Sequence, residues 1–247
     1  MVTRGELVNY LEHELQVPLF KDYGPNGLQI EGRSEIGRIV SGVTASRALI
    51  EAAIDAKADA LLVHHGLFWR GQDGRLTGWL AARVSLLMQH RINLLAYHLP
   101  LDAHPLWGNN AQLGRQLGLQ CDARFGEQNL VVSAPCDLAL DELVSLVGSA
   151  LKRTPTVVPG DGRRLRRVAW CTGGAQGHFE AAIAAGADAY ITGEISEPQT
   201  HLARETGVAF LACGHHATER YGAPALGAHV AERFDLEHQF IDIDNPA

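Results

Sequence analysis

An internal repeat constrains the fold of this chain more than any other feature of its sequence. Residues 51–60 (EAAIDAKADA) recur as residues 180–189 (EAAIAAGADA) with only two differences. The match continues without gaps into the flanking segments, so that residues 38–66 align with residues 167–195. A chain built in this way is predicted to contain two related halves.

Each copy of the repeat has the pattern of an α/β unit. In the first copy we expect strands at residues 39–43, 60–63 and 93–97 and a helix at residues 47–56. The second copy has the same order, with strands at residues 167–171, 189–192 and 208–213 and a helix at residues 178–185. Strands that alternate with helices indicate an α/β fold with substantial parallel pairing. We therefore predict two duplicated α/β subdomains, residues 1–125 and 126–247, that pack together as a single functional unit.

Two further helices are predicted outside the repeat, at residues 6–15 and 138–151. The first has leucines at four-residue spacing, and Thr3 with Glu6 fits a capping box at its start. The second lies between short strand-like segments at residues 130–133 and 156–158. These segments are interpreted as supporting structure.

The composition excludes several classes of protein. A net charge of -7 argues against non-specific binding to nucleic acid or to anionic membranes, which both require an excess of Lys and Arg. No apolar run approaches the length of a membrane span, and residues 1–6 lack the apolar region of a signal peptide. The four cysteines show no Cys-x-x-Cys spacing, which favours reduced thiols in a cytoplasmic protein.

Two adjacent histidines follow an apolar run in the first copy. His64 and His65 come directly after the strand predicted at residues 60–63, so both imidazoles are expected at the end of that strand. Neighbouring side chains of an extended chain point to opposite sides. Either one histidine is a metal ligand and the other is structural, or each binds a different metal ion. The simpler alternative is that one of them only hydrogen-bonds a backbone carbonyl.

The third predicted strand of each copy also ends in a histidine with an acid four residues later. These pairs are His215 with Glu219 and His98 with Asp102. Imidazole nitrogen and carboxylate oxygen are ligands of transition metals, and the spacing places both groups on one side of a helical turn. Asp102 is either such a ligand or a turn acid near the prolines. His98 matches His215 under the repeat, but it could equally orient a ligand.

The remaining polar residues near these strand ends have less specific roles. Glu194 occupies the place of His65 in the second copy, and it is either a general base near the metals or a structural acid. His216 is interpreted as structural or as an orienting group. His104 is expected at the surface. The carboxyl ends of the strands are where α/β sheets place their sites, so a single metal site between the two halves is predicted.

Taken together, these motifs resemble a known family over essentially the whole chain. The family is that of the dinuclear-metal-centre, hexameric proteins related to the NGG-interacting factor, often labelled GTP cyclohydrolase type-2-like. The resemblance is carried by the segments DYGPNGLQ at residues 22–29, VHHG at 63–66, HLPLD at 98–102, ITGE at 191–194 and GHHATE at 214–219. It implies that the two duplicated α/β subdomains are intertwined and that the protein is a toroidal hexamer. It also implies a metal-ligand set that corresponds to His64, His65, Asp102, His215 and Glu219.

Two functions are compatible with this ligand set. The first is a metal-dependent hydrolase with two divalent ions per chain, possibly a cyclohydrolase acting on a purine nucleotide, in which Glu194 or His98 transfers protons. The second is a non-enzymatic metal chaperone or a regulatory metal-binding partner protein. Imidazole and carboxylate ligands accept Zn, Mn, Fe, Co and Ni, so the metal is set by cellular supply. A small-molecule substrate is expected for the hydrolase.

Overall fold

Strands and helices alternate along most of the chain in the computed structural model, which describes residues 1–247. The strands are β1 (Val2–Thr3), β2 (Gly27–Ile30), β3 (Glu35–Ile36), β4 (Arg38–Thr44), β5 (Ala60–His65), β6 (Asn93–Ala96), β7 (Ala123–Phe125), β8 (Val131–Leu138), β9 (Thr156–Val158), β10 (Leu165–Trp170), β11 (Ala189–Thr192), β12 (Ala209–Ala212) and β13 (Glu237–Phe240). The helices are α1 (Arg4–Glu14), α2 (Arg47–Asp55), α3 (Gly78–His90), α4 (Leu99–Ala103), α5 (Asn109–Gln116), α6 (Leu140–Leu151), α7 (Phe179–Ala184), α8 (Glu197–Thr206), α9 (His215–Glu219) and α10 (Gly222–Phe234). None of the helices has the length and apolar character that a membrane span requires.

The chain forms two compact units with boundaries that differ from a division at residue 125. Residues 1–108 and 222–244 form the first unit, and residues 109–221 with 245–247 form the second. The first unit takes its last helix and strand, α10 and β13, from the end of the chain because β13 pairs in parallel with β4. Residues 109–125 belong to the second unit because β7 pairs with β8 there.

A five-stranded sheet in the order β13-β4-β5-β6-β2 forms the centre of the first unit. The strands from β13 to β6 are parallel, and only β2 at the edge runs antiparallel to its neighbour β6. One face of this sheet is covered by α2 and α3 through Leu49, Ile50 and Leu87. The α1 and α10 helices contribute leucines such as Leu7 and Leu226 to the second apolar cluster of this unit.

The second unit contains a six-stranded sheet in the order β7-β8-β10-β11-β12-β9. Its three central strands, β10 to β12, are parallel, and β9 pairs antiparallel at the edge as β2 does in the first unit. A buried cluster around Trp170, Leu143 and Leu211 forms a core of this unit. The prediction of an α/β fold with parallel strands in both copies is therefore confirmed.

The repeated Ala-Asp-Ala segment has the same structural role in both units. Asp59 Oδ2 accepts hydrogen bonds from the backbone N–H groups of Gly37 and Arg38, at 2.9 and 3.0 Å. Asp188 Oδ2 accepts from the N–H groups of Arg166 and Arg167, at 2.8 and 3.1 Å. In each copy this carboxylate precedes the second parallel strand and caps the start of the first, which sets the strand register. The repeat is thus structural as well as sequential.

The helix at the start of the chain has the predicted capping box, although it begins at Arg4, two residues earlier than predicted. Thr3 Oγ1 accepts from the Glu6 N–H at 3.2 Å, and Glu6 Oε2 accepts from the Thr3 N–H at 3.1 Å, which completes the capping box. The helix itself, α1, spans Arg4–Glu14 and buries Leu7 and Leu11.

Candidate metal centre

His64 and His65 are the last two residues of β5, and each is held by a hydrogen bond to its Nδ1 atom. His64 is fully buried, and its Nδ1 lies 3.0 Å from the carbonyl oxygen of Tyr97. A carbonyl only accepts, so the proton is on Nδ1 and the Nε2 lone pair is available to a metal ion. His65 Nδ1 bonds the hydroxyl of Thr44 at 3.0 Å. Both rings therefore present Nε2 away from the atoms that fix them.

His98 joins this cluster instead of standing behind it. It is the residue before α4, and its Nδ1 donates to Asp22 Oδ1 at 2.7 Å. One nitrogen from each of His64, His65 and His98 lies within 4.8 Å of the others, close enough to hold one metal ion. Three imidazoles with anchored rings form a donor set that suits Zn and other first-row transition metals. The sequence left the role of His98 open, and the structure brings it together with the histidine pair.

Asp22 is the buried acid that fixes His98. Its two carboxylate oxygens also accept hydrogen bonds from the Tyr23 N–H, the Asn26 side-chain amide and the Leu99 N–H, at 2.6 to 2.9 Å. Burial opposes the charged carboxylate, but the hydrogen bond from His98 and the others outweigh it and lower the pKa of Asp22 to about 2. The segment of residues 22–26 thus fixes the orientation of the His98 ring.

Asp102 lies inside α4, so it does not act as a helix cap. It is 5% exposed, and its backbone N–H donates to the His98 carbonyl at 3.1 Å, as the first helical turn requires. Its Oδ1 lies 3.5 Å from Nε2 of His64. The arrangement favours the role of a ligand beside His64 over that of a turn acid.

His215 and Glu219 form a second cluster in the other unit, on one side of the short helix α9. His215 Nε2 lies 3.2 Å from Glu219 Oε2, which is the one-sided arrangement that the four-residue spacing predicts. The opposite ring nitrogen, Nδ1, donates to Glu194 Oε1 at 2.6 Å. Glu194 is itself contacted by Gln176, whose amide nitrogen lies 3.3 Å from Glu194 Oε2.

These two carboxylates determine the protonation of His215. Burial lowers its tendency to carry charge, but Glu219 and Glu194 together overcome this effect and raise the pKa of His215 to about 9. The imidazole therefore binds a proton at neutral pH, and a metal ion must displace the proton to bind at Nε2. A histidine that donates one ring N–H to a carboxylate, as His215 does to Glu194, is typical of metal sites in proteins.

A glycine makes room for the Glu219 carboxylate. Gly173 follows β10 with a φ of +71°, and a Cβ atom at this position would lie 1.9 Å from Glu219 Oε1. The Gly173 backbone is held in place, since its N–H donates to Thr218 Oγ1 at 2.9 Å and its carbonyl accepts from the Gly193 N–H at 2.8 Å. Only glycine fits here without displacing the acid.

The two third strands do not end in the same register, which corrects one sequence prediction. Val63 is opposite Ala96 in the first sheet, and its repeat partner Thr192 is opposite Ala212 in the second. His98 is therefore equivalent to Gly214, one residue before His215. Gly214 has a φ of +96°, a left-handed conformation that glycine adopts without strain. The segments that lead into α4 and α9 therefore have different backbone conformations.

Two nearby histidines were assigned only approximate roles from the sequence. His104, expected at the surface, is buried: its ring stacks on Trp107 at a centroid distance of 4.6 Å, and its Nε2 lies 3.6 Å from Glu14. His216 is also buried, and its backbone N–H donates to the Ala247 carbonyl at 3.1 Å, which agrees with a structural role.

Sequence reasoning missed the residues that fix the histidine rings and the carboxylate. Asp22, Thr44 and Gly173 are distant in sequence from the histidines or acids that they contact. The only sequence signal was the segment at residues 22–29, which was identified as part of the resemblance without a role for Asp22. In each unit the candidate ligands are thus held by a second group that fixes their orientation, as is usual in metal sites.

Comparison with known proteins places this chain among relatives of similar length. The sequence profile described as Duf34/NIF3 (NGG1p interacting factor 3) matches residues 2–246. A protein of Neisseria meningitidis serogroup A named GTP cyclohydrolase 1 type 2 homolog is 54% identical, with 100% of both chains covered. A protein of Pseudomonas aeruginosa with the same name is 50% identical, with 100% of this chain and 99% of the relative covered. A solved structure described as protein ybgI of unknown function is 44% identical, covers 100% of both chains and has a TM-score of 0.95.

Proposed function

Because this chain belongs to the Duf34/NIF3 family, we propose that it binds two divalent metal ions and acts as a metal-dependent hydrolase. The ligands in this proposal are His64, His65, Asp102, His215 and Glu219. The observation that carries it is the convergence of imidazoles at the end of β5, where one nitrogen each of His64, His65 and His98 lies within 4.8 Å of the others.

In this proposal the first unit supplies His64, His65 and Asp102, and the second unit supplies His215 and Glu219. His64 and Asp102, whose side chains lie 3.5 Å apart, would hold one ion together. A carboxylate ligand would offset part of the charge of a bound cation. The metal is a first-row divalent ion, Zn, Mn, Fe, Co or Ni, since the nitrogen and oxygen donors suit all of them.

Divalent ions bound in such a centre lower the pKa of a coordinated water toward ~7 and polarise the bond to be cleaved. The residues of the chain hold this chemistry in place. Asp22 fixes the His98 ring through Nδ1, which leaves His98 Nε2 to hold or release a proton near the substrate. Glu194 is occupied by His215 and Gln176, so positioning His215 is its proposed role in place of general base.

The proposed reaction is hydrolysis of a small molecule, and a cyclohydrolase reaction on a purine nucleotide is the specific form that the names of the relatives suggest. The protein is proposed to work in the cytoplasm as a toroidal hexamer, as the resemblance implies. Light scattering coupled to size-exclusion chromatography measures the number of subunits directly. A monomer or dimer of the metal-loaded protein would contradict the ring.

The first test is elemental analysis of the wild type beside Glu219→Gln, both purified near neutral pH without a chelator. The variant keeps the size of the buried side chain and removes its charge. We expect about two equivalents of a transition metal per chain in the wild type and one or none in the variant. Glu197→Gln is the matched control, because Glu197 contacts His201 in an exposed pair with the same spacing, and it should leave the metal content unchanged.

The second test separates the hydrolase from the metal chaperone. The metal-loaded wild type and His98→Gln are assayed against panels of nucleotides, phosphoesters and amides. Turnover by the wild type that is lost in His98→Gln, at equal metal content, supports the hydrolase with His98 as the proton-transferring group. Metal that is bound and exchanged without any turnover in these panels would refute the hydrolase and support the chaperone.

A further inference from the structure

Two loops of the first unit lock together beside the three histidines. The Arg70 N–H donates to the Tyr23 carbonyl, and the Arg70 guanidinium donates to the Asp22 carbonyl, both at 2.6 Å. A Cβ atom on Gly24 would lie 2.4 Å from the Phe68 carbonyl oxygen, so the two backbones are packed as closely as glycine allows. The side chains on these loops are consequently held on a fixed backbone.

The loops present aromatic rings next to the imidazoles. The Trp69 ring lies 5.1 Å from that of His98 and 5.9 Å from that of His65, measured between centroids. Tyr23 lies 6.1 Å from His98 in an edge-on arrangement and is nevertheless 57% exposed. The Arg70 guanidinium carbon lies 5.9 Å from the centroid of the Tyr23 ring. Two aromatic rings and a cation thus lie close to the His98 ring or to its neighbour Tyr23.

The polar side chains nearby are occupied in holding the loops. Asn26 accepts from the His98 N–H at 2.7 Å and donates to Asp22 at 2.8 Å. Gln29 donates to one backbone carbonyl at 2.8 Å and accepts from a backbone N–H at 2.7 Å. Recognition at this side of the cluster therefore falls to Tyr23, Trp69 and Arg70 and not to the amides.

We propose that Tyr23 and Trp69 form a recognition surface for the planar aromatic ring of an anionic substrate, whose negative group is bound by Arg70. This inference rests on the proposed hydrolase and names the class of its substrate. Rigid aromatic side chains supply a large contact area at low cost in conformational entropy. An exposed guanidinium has further N–H donors beyond its bond to Asp22, and these suit a phosphate or carboxylate group.

Binding of three probes to the full-length protein tests the surface by calorimetry, with and without added Zn²⁺. Guanosine 5′-monophosphate carries both a ring and an anion, ribose 5-phosphate carries only the anion, and guanosine carries only the ring. We expect the nucleotide to bind most tightly. Tyr23→Ala should weaken nucleotide binding about tenfold, the usual scale for losing one stacked aromatic ring, and should leave ribose 5-phosphate binding and metal content unchanged.

Two variants serve as controls for the loss of a ring. Tyr23→Phe keeps the aromatic face and should bind the nucleotide as the wild type does. Trp79→Ala removes an equally exposed ring that lies under Arg83 at 4.8 Å on α3, and it should have no effect. Arg70→Gln should weaken the binding of the nucleotide and of ribose 5-phosphate but not the binding of guanosine.

The proposal is overturned if the wild type binds none of the probes, if it binds ribose 5-phosphate as tightly as the nucleotide, or if Tyr23→Ala and Trp79→Ala behave alike. Its failure is distinguishable from failure of the proposed function. Wild-type protein that holds metal and hydrolyses a non-aromatic compound would keep the hydrolase and refute the surface. Nucleotide binding that depends on Tyr23, in a protein that takes up no metal even after incubation with Zn²⁺, would keep the surface and refute the proposed metal-dependent hydrolase.

Discussion

Gly173→Ala is the substitution that tests the proposed role of Glu219 as a metal ligand most directly. The new methyl group would lie 1.9 Å from Glu219 Oε1, whereas ordinary contacts of a Cβ atom begin at 3.4 Å. The backbone cannot yield, because Thr218 and Gly193 hold it on both sides. The carboxylate must therefore move by about 1.5 Å, far beyond the ±0.2 Å within which metal–ligand distances vary.

Gly186→Ala supplies the matched control for the cost of the left-handed backbone. Gly186 has a φ of +77° and open space around the position of a Cβ atom, and its repeat partner Lys57 already carries a side chain at a φ of +57°. An alanine in this conformation costs about 1 kcal/mol. That cost corresponds to a decrease of about 2–4 °C in melting temperature for a chain of this size. Both variants should show at least this decrease without metal.

The two variants should differ in metal binding. Titration of metal-free protein with Zn²⁺ or Mn²⁺ is expected to show wild-type affinity for Gly186→Ala and at least tenfold weaker binding for Gly173→Ala, the scale on which disturbed ligand positions act. Circular dichroism checks that both variants are folded. Wild-type metal affinity in a folded Gly173→Ala protein would refute the assignment of Glu219 as a ligand.

Three further predictions concern the charges around the histidines. The lowered pKa of Asp22 stabilises the folded state by about 2 kcal/mol at pH values above the unfolded pKa, which is near 3.8. This contribution is lost as the pH falls toward 2. The acid unfolding of Asp22→Asn should not show this pH-dependent loss. The pKa of His215 is raised to about 9, so its proton stabilises the folded protein below pH 6.5, and this contribution is lost as the pH rises through about 9. Because a metal ion must displace this proton, metal affinity should increase with pH until about 9. A metal affinity that is independent of pH would contradict this prediction. Glu194→Gln should lower the pKa of His215 measured by NMR and weaken metal binding 10–100-fold, with Glu197→Gln unchanged.

The sequence was sufficient to predict the framework because the repeat preserves local interactions. Asp59 and Asp188 cap strands that lie only about twenty residues away, and such contacts recur wherever the segment recurs. The predicted strand at residues 189–192 and the predicted capping box of Thr3 and Glu6 are accordingly found as expected. Hydrophobic periodicity encodes which residues are buried, and this is enough to place the ends of parallel strands at one edge of each sheet.

The supporting contacts of the candidate centre could not be predicted in the same way. Asp22 and His98 are 76 residues apart in the chain, so no periodic pattern connects them. The single-residue offset between His98 and His215 depends on the left-handed backbone of Gly214, which a glycine permits but does not require. Gly173 has no side chain to suggest its role, which is to leave space for the carboxylate of Glu219.

The return of residues 222–244 to the first unit has a consequence for synthesis on the ribosome. Residues 109–221 form nearly all of the second unit, so its sheet has every strand once the chain has reached Tyr221. The first sheet, although made earlier, leaves β4 without its outer neighbour until β13 is translated. Domains fold as units during translation at about 5–20 residues per second. The later-made unit is thus the first to have all its strands, and the edge of β4 is exposed to chaperones or to wrong pairing until the last strand arrives.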